Sequence, residues 1–159
     1  MPGIRGRRPI LPIMLGTAGH VDHGKTALVR NLTGRETDTL PEEKRRELSI
    51  DLGFAPFVVG SGCLAGIIDV PGHEDFIRNM VAGAVSMDAV ILTVAADDGV
   101  MPQTVEHLQI LGLLEVPRIV VAITKSDLAD EARLARVQGE VAELLRRSGP
   151  GEAPIVPGS

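Results

Sequence analysis

The stretch Gly19-His20-Val21-Asp22-His23-Gly24-Lys25-Thr26 (GHVDHGKT) fits the pattern of Gly, four residues, then Gly-Lys-Ser/Thr that marks a phosphate-binding loop. The apolar run Ile13-Met14-Leu15 in front of it reads as a strand, and Ala27-Leu28-Val29-Arg30-Asn31-Leu32 behind it reads as a helix. The loop therefore lies at a strand-to-helix junction, where the chemistry requires it. Backbone N–H groups of a glycine-permitted turn, at the positive end of a helix, make a concave site for anions. In such a loop the Lys25 ammonium reaches the outer phosphates, and the Thr26 hydroxyl takes one position on Mg²⁺.

Around this loop the chain has the size of a single domain, 159 residues, and buries roughly 70% of its unfolded surface on folding. A net charge of −5 leaves no broad basic footprint, which argues against strong nucleic-acid binding by this segment. The single cysteine, Cys63, excludes an internal disulfide and suits a reducing cytoplasm. No apolar run approaches the roughly 20 residues of a membrane span. Arg7-Arg8 followed by Pro9-Ile10-Leu11-Pro12 imitates an export signal, but two prolines break its apolar core and the run continues directly into the phosphate loop. Residues 1–12 are expected to form a loose basic arm and residues 13–159 a nucleotide domain. Of the 16 basic side chains only Lys25, Lys44 and Lys125 are lysines. Two of the three stand in nucleotide motifs, where a compact charge on a straight stem differs from a guanidinium fork.

Farther along, Thr33 to Glu47 is polar and reads as a mobile connection. Its second half, Pro41 to Leu48, has helix chemistry, with proline and acids first and bases later. Ser49 to Val59 and Cys63 to Val70 are apolar runs joined by Gly60-Ser61-Gly62, a hairpin signal in which Pro56 suits an edge strand. Further strand-like runs cover Ala89 to Ala96, Arg118 to Ile123 and Pro154 to Val156. Leu134, Val137, Val141 and Leu144 keep helical spacing, and Gly149-Pro150-Gly151 ends that helix. The alternation predicts an α/β fold, a mostly parallel six-stranded sheet with one antiparallel strand and helices on both faces.

Ligands of such sheets sit at the carboxyl ends of the strands. There the third strand delivers Asp69-Val70-Pro71-Gly72-His73: an Asp able to hold Mg²⁺ through water, and a Gly whose N–H can approach a terminal phosphate. The fifth strand delivers Thr124-Lys125-Ser126-Asp127. The Asp127 carboxylate can accept from two N–H groups of guanine while the Lys125 stem lies along the ring, which selects GTP over ATP. Outside these motifs, His20 and His107 read as solvated or structural, Cys63 as a small hydrophobe, and Asp97-Asp98-Gly99 as a turn.

GHVDHGKT, DVPGHEDF and MPQTVEHL together resemble the guanine-nucleotide domain of the translational GTPases. Within them the chain is most similar to the bacterial selenocysteine-specific elongation factors. The short connection from Thr26 to Ser49, the run Ile50-Asp51-Leu52-Gly53-Phe54-Ala55 and a base motif that opens with Thr124 carry that finer likeness. The resemblance implies a phosphate-loop GTPase fold and a cytoplasmic, monomeric protein that binds GTP or GDP with Mg²⁺. It also implies that Gly19, His20, Val21, Asp22, His23, Gly24, Lys25, Thr26, Asp69, Gly72, Thr124, Lys125, Asp127 and Ser159 contact the nucleotide. Mg²⁺ falls to Thr26, Ser49 and Asp69. His73 is the catalytic residue that orients the attacking water once the ribosome acts, with Val21 and Leu48 as its apolar gate. Selenocysteinyl-tRNA and the mRNA hairpin are expected to bind through domains outside this chain.

Several positions depart from the pattern. Glu47 replaces a Gly, Thr124 replaces the usual Asn, and Gly158 replaces an apolar residue before Ser159. Two other readings stand beside the first: the GTPase subunit of a sulfate-activating enzyme, and a domain that binds nucleotide without efficient hydrolysis. Asp22 likewise has two readings. A carboxylate beside phosphates either helps hold a monovalent cation or caps the backbone and faces water.

Overall fold

The structure is a computed structural model that describes residues 13–35, 53–59, 62–70, 77–84 and 86–159. In chain order the elements are β1 (Ile13–Gly19), α1 (Lys25–Thr33), β2 (Gly53–Val59), β3 (Cys63–Asp69), α2 (Ile77–Ala84), β4 (Ala89–Ala95), α3 (Pro102–Leu113), β5 (Ile119–Thr124), α4 (Glu131–Ser148) and β6 (Ile155–Pro157). A short 3₁₀ turn, Ser126–Leu128, follows β5. The expected arm at residues 1–12, the connection from residue 36 onward with its expected helix at Pro41 to Leu48, and the His73 segment lie outside the described residues.

The strands form one six-stranded sheet in the order β2-β3-β1-β4-β5-β6. Only β2 and β3 pair antiparallel; the other four pairings are parallel. The expected hairpin and the edge position of Pro56 are both present, with Pro56 opposite Gly66. An edge strand tolerates proline because the missing N–H costs no ladder bond on its open side. With β1 between β3 and β4, the chain builds out one half of the sheet and then crosses to the other. Such a reversal opens a crevice at the carboxyl ends of the central strands.

Alternation along the strands divides the core. Val29 of α1 packs with Ala55 and Ile67 on one face. On the other, Ala18, Val90, Leu92, Val94, Val121 and Ile123 meet Leu108 and Leu111 of α3 and Val137, Val141 and Leu145 of α4. Helices thus cover both faces, as the strand–helix alternation predicts. The α4 stripe is set one step differently from its sequence reading: Leu145 is fully buried, whereas Leu134 and Leu144 pack at the rim. Asp130 starts that helix by accepting from the Arg133 N–H at 2.7 Å, and Gly149 ends it.

Leu92 is 0% exposed and Leu113 is 84% exposed. Leu92→Ala should lower unfolding free energy by about 2–5 kcal/mol, and Leu113→Ala should change it by no more than about 0.5 kcal/mol. Urea titrations of the two variants check this.

Candidate functional site

Three strand ends and one helix start converge at the carboxyl edge of the sheet. Gly19 closes β1 with φ +129°, and a Cβ there would lie 2.4 Å from the Thr93 carbonyl oxygen. Only glycine lets the chain turn this close to β4. The Thr93 hydroxyl holds the same corner by donating to the Ala18 carbonyl at 3.1 Å. Five residues on, Gly24 (φ +79°) is the N-cap of α1 and supplies no side chain to the helix end. The first turn of α1 contains no acid. Its N–H groups and dipole are left to face an anion.

Lys25 lies at this positive helix end and is only 6% exposed. Its Nζ donates to the carbonyls of Gly19 (3.0 Å) and His20 (2.7 Å), across the loop it belongs to. A buried ammonium at a helix N-terminus is electrostatically opposed unless oxygens surround it, and it raises the demand for an anion at the mouth of the loop. Asp69, the last residue of β3, is also buried. It accepts from Thr17 at 2.8 Å with one oxygen and from Thr26 at 2.6 Å with the other. The Thr17 hydroxyl accepts in turn from the Val70 N–H at 3.0 Å. The pair Thr26–Asp69 brings together a hydroxyl and a carboxylate, the hard oxygen donors that suit Mg²⁺ shared with phosphates. Among the described residues no three His, Cys, Asp or Glu side chains gather into a metal cage of their own.

The base motif lies beside the phosphate loop. Thr124 ends β5, and its hydroxyl donates to the His23 carbonyl at 2.8 Å. Thr124 therefore keeps one direct tether between the two motifs. Lys125 follows in the left-handed region (φ 54°), and Asp127 is exposed on the 3₁₀ turn. The Ser126 N–H donates to Gly158 and the Gly158 N–H to Ile123, so the chain end is drawn up to the motif. A cavity of about 390 Å³ opens between them, lined by Gly24, Ala27 and Leu28 of the α1 start, Thr124, Lys125 and Asp127 of the base motif, and Gly158 and Ser159. Its volume and its mix of apolar walls with a few polar groups suit a planar organic ring.

Most of the residues expected from the sequence are brought together. Val21 is half-buried within the loop, and Asp22 stands at its rim, exposed and left-handed (φ 64°). Ser49, Gly72, His73, Leu48 and Glu47 lie outside the described residues. Four contributors were not read from the sequence as parts of the site: Thr17 and Arg133, which drew no reading, and the Asp97-Asp98 turn and His107, which were read as structural or solvated. The Asp97-Asp98 turn does more than reverse the chain: Asp97 lies 3.6 Å from Lys125 Nζ, and Asp98 lies 3.3 Å from His23 Nε2. Arg133 fixes that turn, donating to the carbonyls of Ala96 (3.0 Å) and Asp97 (2.9 Å). Thr17 offered one signal, a hydroxyl within an otherwise apolar strand. His107 proves fully buried.

Burial holds the imidazoles of His23 and His107 neutral. Desolvation lowers both pKa values to about 4; the neighbouring His20 and Lys25 push in the same direction, and Asp98 partly opposes the shift at His23.

The family model for the elongation factor Tu GTP binding domain matches residues 12–159. The selenocysteine-specific elongation factor of Desulfomicrobium baculatum is 50% identical over 92% of this chain. That of Escherichia coli (strain K12) is 52% identical over 90%. This chain spans 23% of the length of each. A crystal structure of a bacterial selenocysteine-specific elongation factor superposes with a TM-score of 0.86 at 44% identity, over 92% of this chain and 25% of that one.

The depressed histidines imply a pH dependence. An unfolded imidazole takes up a proton below about pH 6.5, whereas the folded pair resists until about pH 4. Their contribution to stability is therefore complete above pH 6.5 and lost as pH falls toward 4. Each should add a slope of up to roughly 1.4 kcal/mol per pH unit in that window, and His107→Asn should remove roughly half of the combined slope. Urea unfolding at pH 7.5, 6.0 and 5.0 measures it.

Proposed function

Because the chain belongs to the family of the elongation factor Tu GTP binding domain, we propose that it is the guanine-nucleotide domain of a selenocysteine-specific elongation factor, which hydrolyses GTP as selenocysteinyl-tRNA is delivered to the ribosome. The observation that carries the reading is the adjacency of the Lys25–Thr26–Asp69 group to the cavity bounded by Lys125 and Asp127. A ligand with phosphates at one end and a planar base at the other fits both parts of the site. Identities of about 50% to selenocysteine-specific factors support that branch.

In this reading the α1 N-terminus and Lys25 bind the phosphates, and Thr26, Asp69 and Ser49 hold Mg²⁺. The metal ion, when bound, neutralises charge on the β- and γ-phosphate oxygens. Asp127 accepts from the guanine edge, and Lys125, kept in line by Asp97, covers the ring. Thr124 braces the base motif against the loop. Gly72 brings a backbone N–H to the terminal phosphate, and His73 orients the attacking water behind Val21 and Leu48. Asp22, exposed at the rim, helps hold a K⁺ or Na⁺ ion against the phosphates. The tRNA and mRNA hairpin bind elsewhere in the longer factor, and the domain works in the cytoplasm. Among the described residues no helix is long and apolar enough to cross a membrane.

Titration should show GTP and GDP binding with ATP failing to compete, while Asp127→Asn loses GTP and gains xanthosine triphosphate. The same titration in K⁺, Na⁺ and a bulky organic cation at matched ionic strength should separate the three, and Asp22→Ala should abolish the difference. ATP competing as well as GTP would remove Asp127 from the base site. In the full-length factor, His73→Ala should leave GTP binding nearly intact and abolish the ribosome-stimulated rate. Single-turnover hydrolysis measures that, and an undiminished rate would reject the catalytic role.

A further inference from the structure

The run Met101-Pro102-Gln103-Thr104-Val105-Glu106-His107-Leu108 marks the chain's likeness to its family, yet nothing in the nucleotide chemistry above uses it. The structure gives it a task. Pro102 opens α3, and the Thr104 hydroxyl accepts from the Met101 N–H at 3.2 Å, which fixes the start of the helix. In the second turn of the helix, the His107 ring reaches across the carboxyl edge of the sheet. Its Nδ1 accepts from the Gly19 N–H at 2.9 Å, a buried bond between residues 88 apart in sequence.

Gly19 is the residue on which the phosphate loop turns. Thr93 of β4 pairs with it and leaves no room for a Cβ there, and the Gly19 carbonyl receives a hydrogen bond from Lys25 Nζ. With its N–H held by His107, its position is fixed from α3, from β4 and from inside the loop. A buried N–H left without an acceptor is costly, so the corner would shift to find one if the imidazole nitrogen were lost. The ring has to be neutral for this, since a protonated imidazole has no acceptor, and its burial keeps it so. The bond to Nδ1 leaves the proton on Nε2.

We propose that His107 is a positioning residue for nucleotide binding: through the Gly19 N–H it holds the phosphate loop in the shape that receives phosphates. His107 touches no nucleotide in this account and acts only through Gly19. The inference rests on the proposed nucleotide function, and the test separates the two.

GDP affinity is measured for the unsubstituted chain and for His107→Leu, His107→Asn and His107→Gln, with the Gly19 amide followed by ¹H–¹⁵N NMR. Asn places its carbonyl oxygen where Nδ1 stands, whereas Gln places it one atom farther out. His107→Leu should lose about tenfold or more in affinity and shift the Gly19 amide upfield. His107→Asn should recover both, to within about threefold of the parent affinity, and His107→Gln should not. If His107→Leu does not fold, the Asn and Gln pair decides, since both are polar and differ in where the acceptor sits. Equal affinity for those two, or a folded His107→Leu that binds like the parent, overturns the positioning role alone. Failure of the unsubstituted chain to bind GDP overturns the nucleotide reading and this inference with it.

Discussion

A buried carboxylate ties the sheet to the phosphate loop. Asp69 lies at the end of β3, where each of its oxygens accepts from a threonine hydroxyl, Thr17 of β1 and Thr26 of α1. Taking a carboxylate out of water costs several kcal/mol unless its lone pairs are met, so both threonines have to be where they are. The parallel register supplies one of them. Gly16 pairs with Ile68, which places Thr17 and Asp69 next in line. Packing of α1 on the sheet, through Val29 against Ala55 and Ile67, supplies the other. The fold therefore places a hydroxyl and a carboxylate side by side at the mouth of the crevice as a consequence of its own register.

Charge around the loop is arranged with similar economy. Lys25 is buried among three histidines, and two of these are held neutral by desolvation at any pH near 7. A protonated imidazole beside that ammonium would be repelled by it, which adds to the cost of charging a buried ring. The His20 and His23 rings pack edge-on, with centroids 5.0 Å apart. The Asp97-Asp98 turn connects this group to the base motif, with one carboxylate near Lys125 and the other near His23. Arg133 anchors the turn by its backbone carbonyls, so α4 contributes to the site although it carries no nucleotide motif.

The hairpin, the edge proline, the end of α4 and the strand-end motifs were legible because each depends on neighbours within a few residues. Glycine at a left-handed turn, a proline without its N–H and apolar residues at a fixed period act locally. The α4 stripe shows where this stops. Its spacing pointed to Leu144, but the helix turns Leu145 to the core, because the angle at which a helix lies on its sheet is set by the surface it meets.

Consecutive residues were enough to place the turn at GHVDHGKT, the Thr124 to Asp127 segment and the Asp69 carboxylate at strand ends, and to set the parallel α/β class that puts all three at one edge. Tertiary structure alone decided what holds them: His107 on Gly19, Thr17 on Asp69, Thr124 on His23, and the Asp97-Asp98 turn against Lys125 and His23. The reason is geometric. A motif is written in consecutive residues whose backbone conformation is set locally. A brace between residues 28 to 101 positions apart exists only after strand register and helix orientation bring the two groups within 3.6 Å.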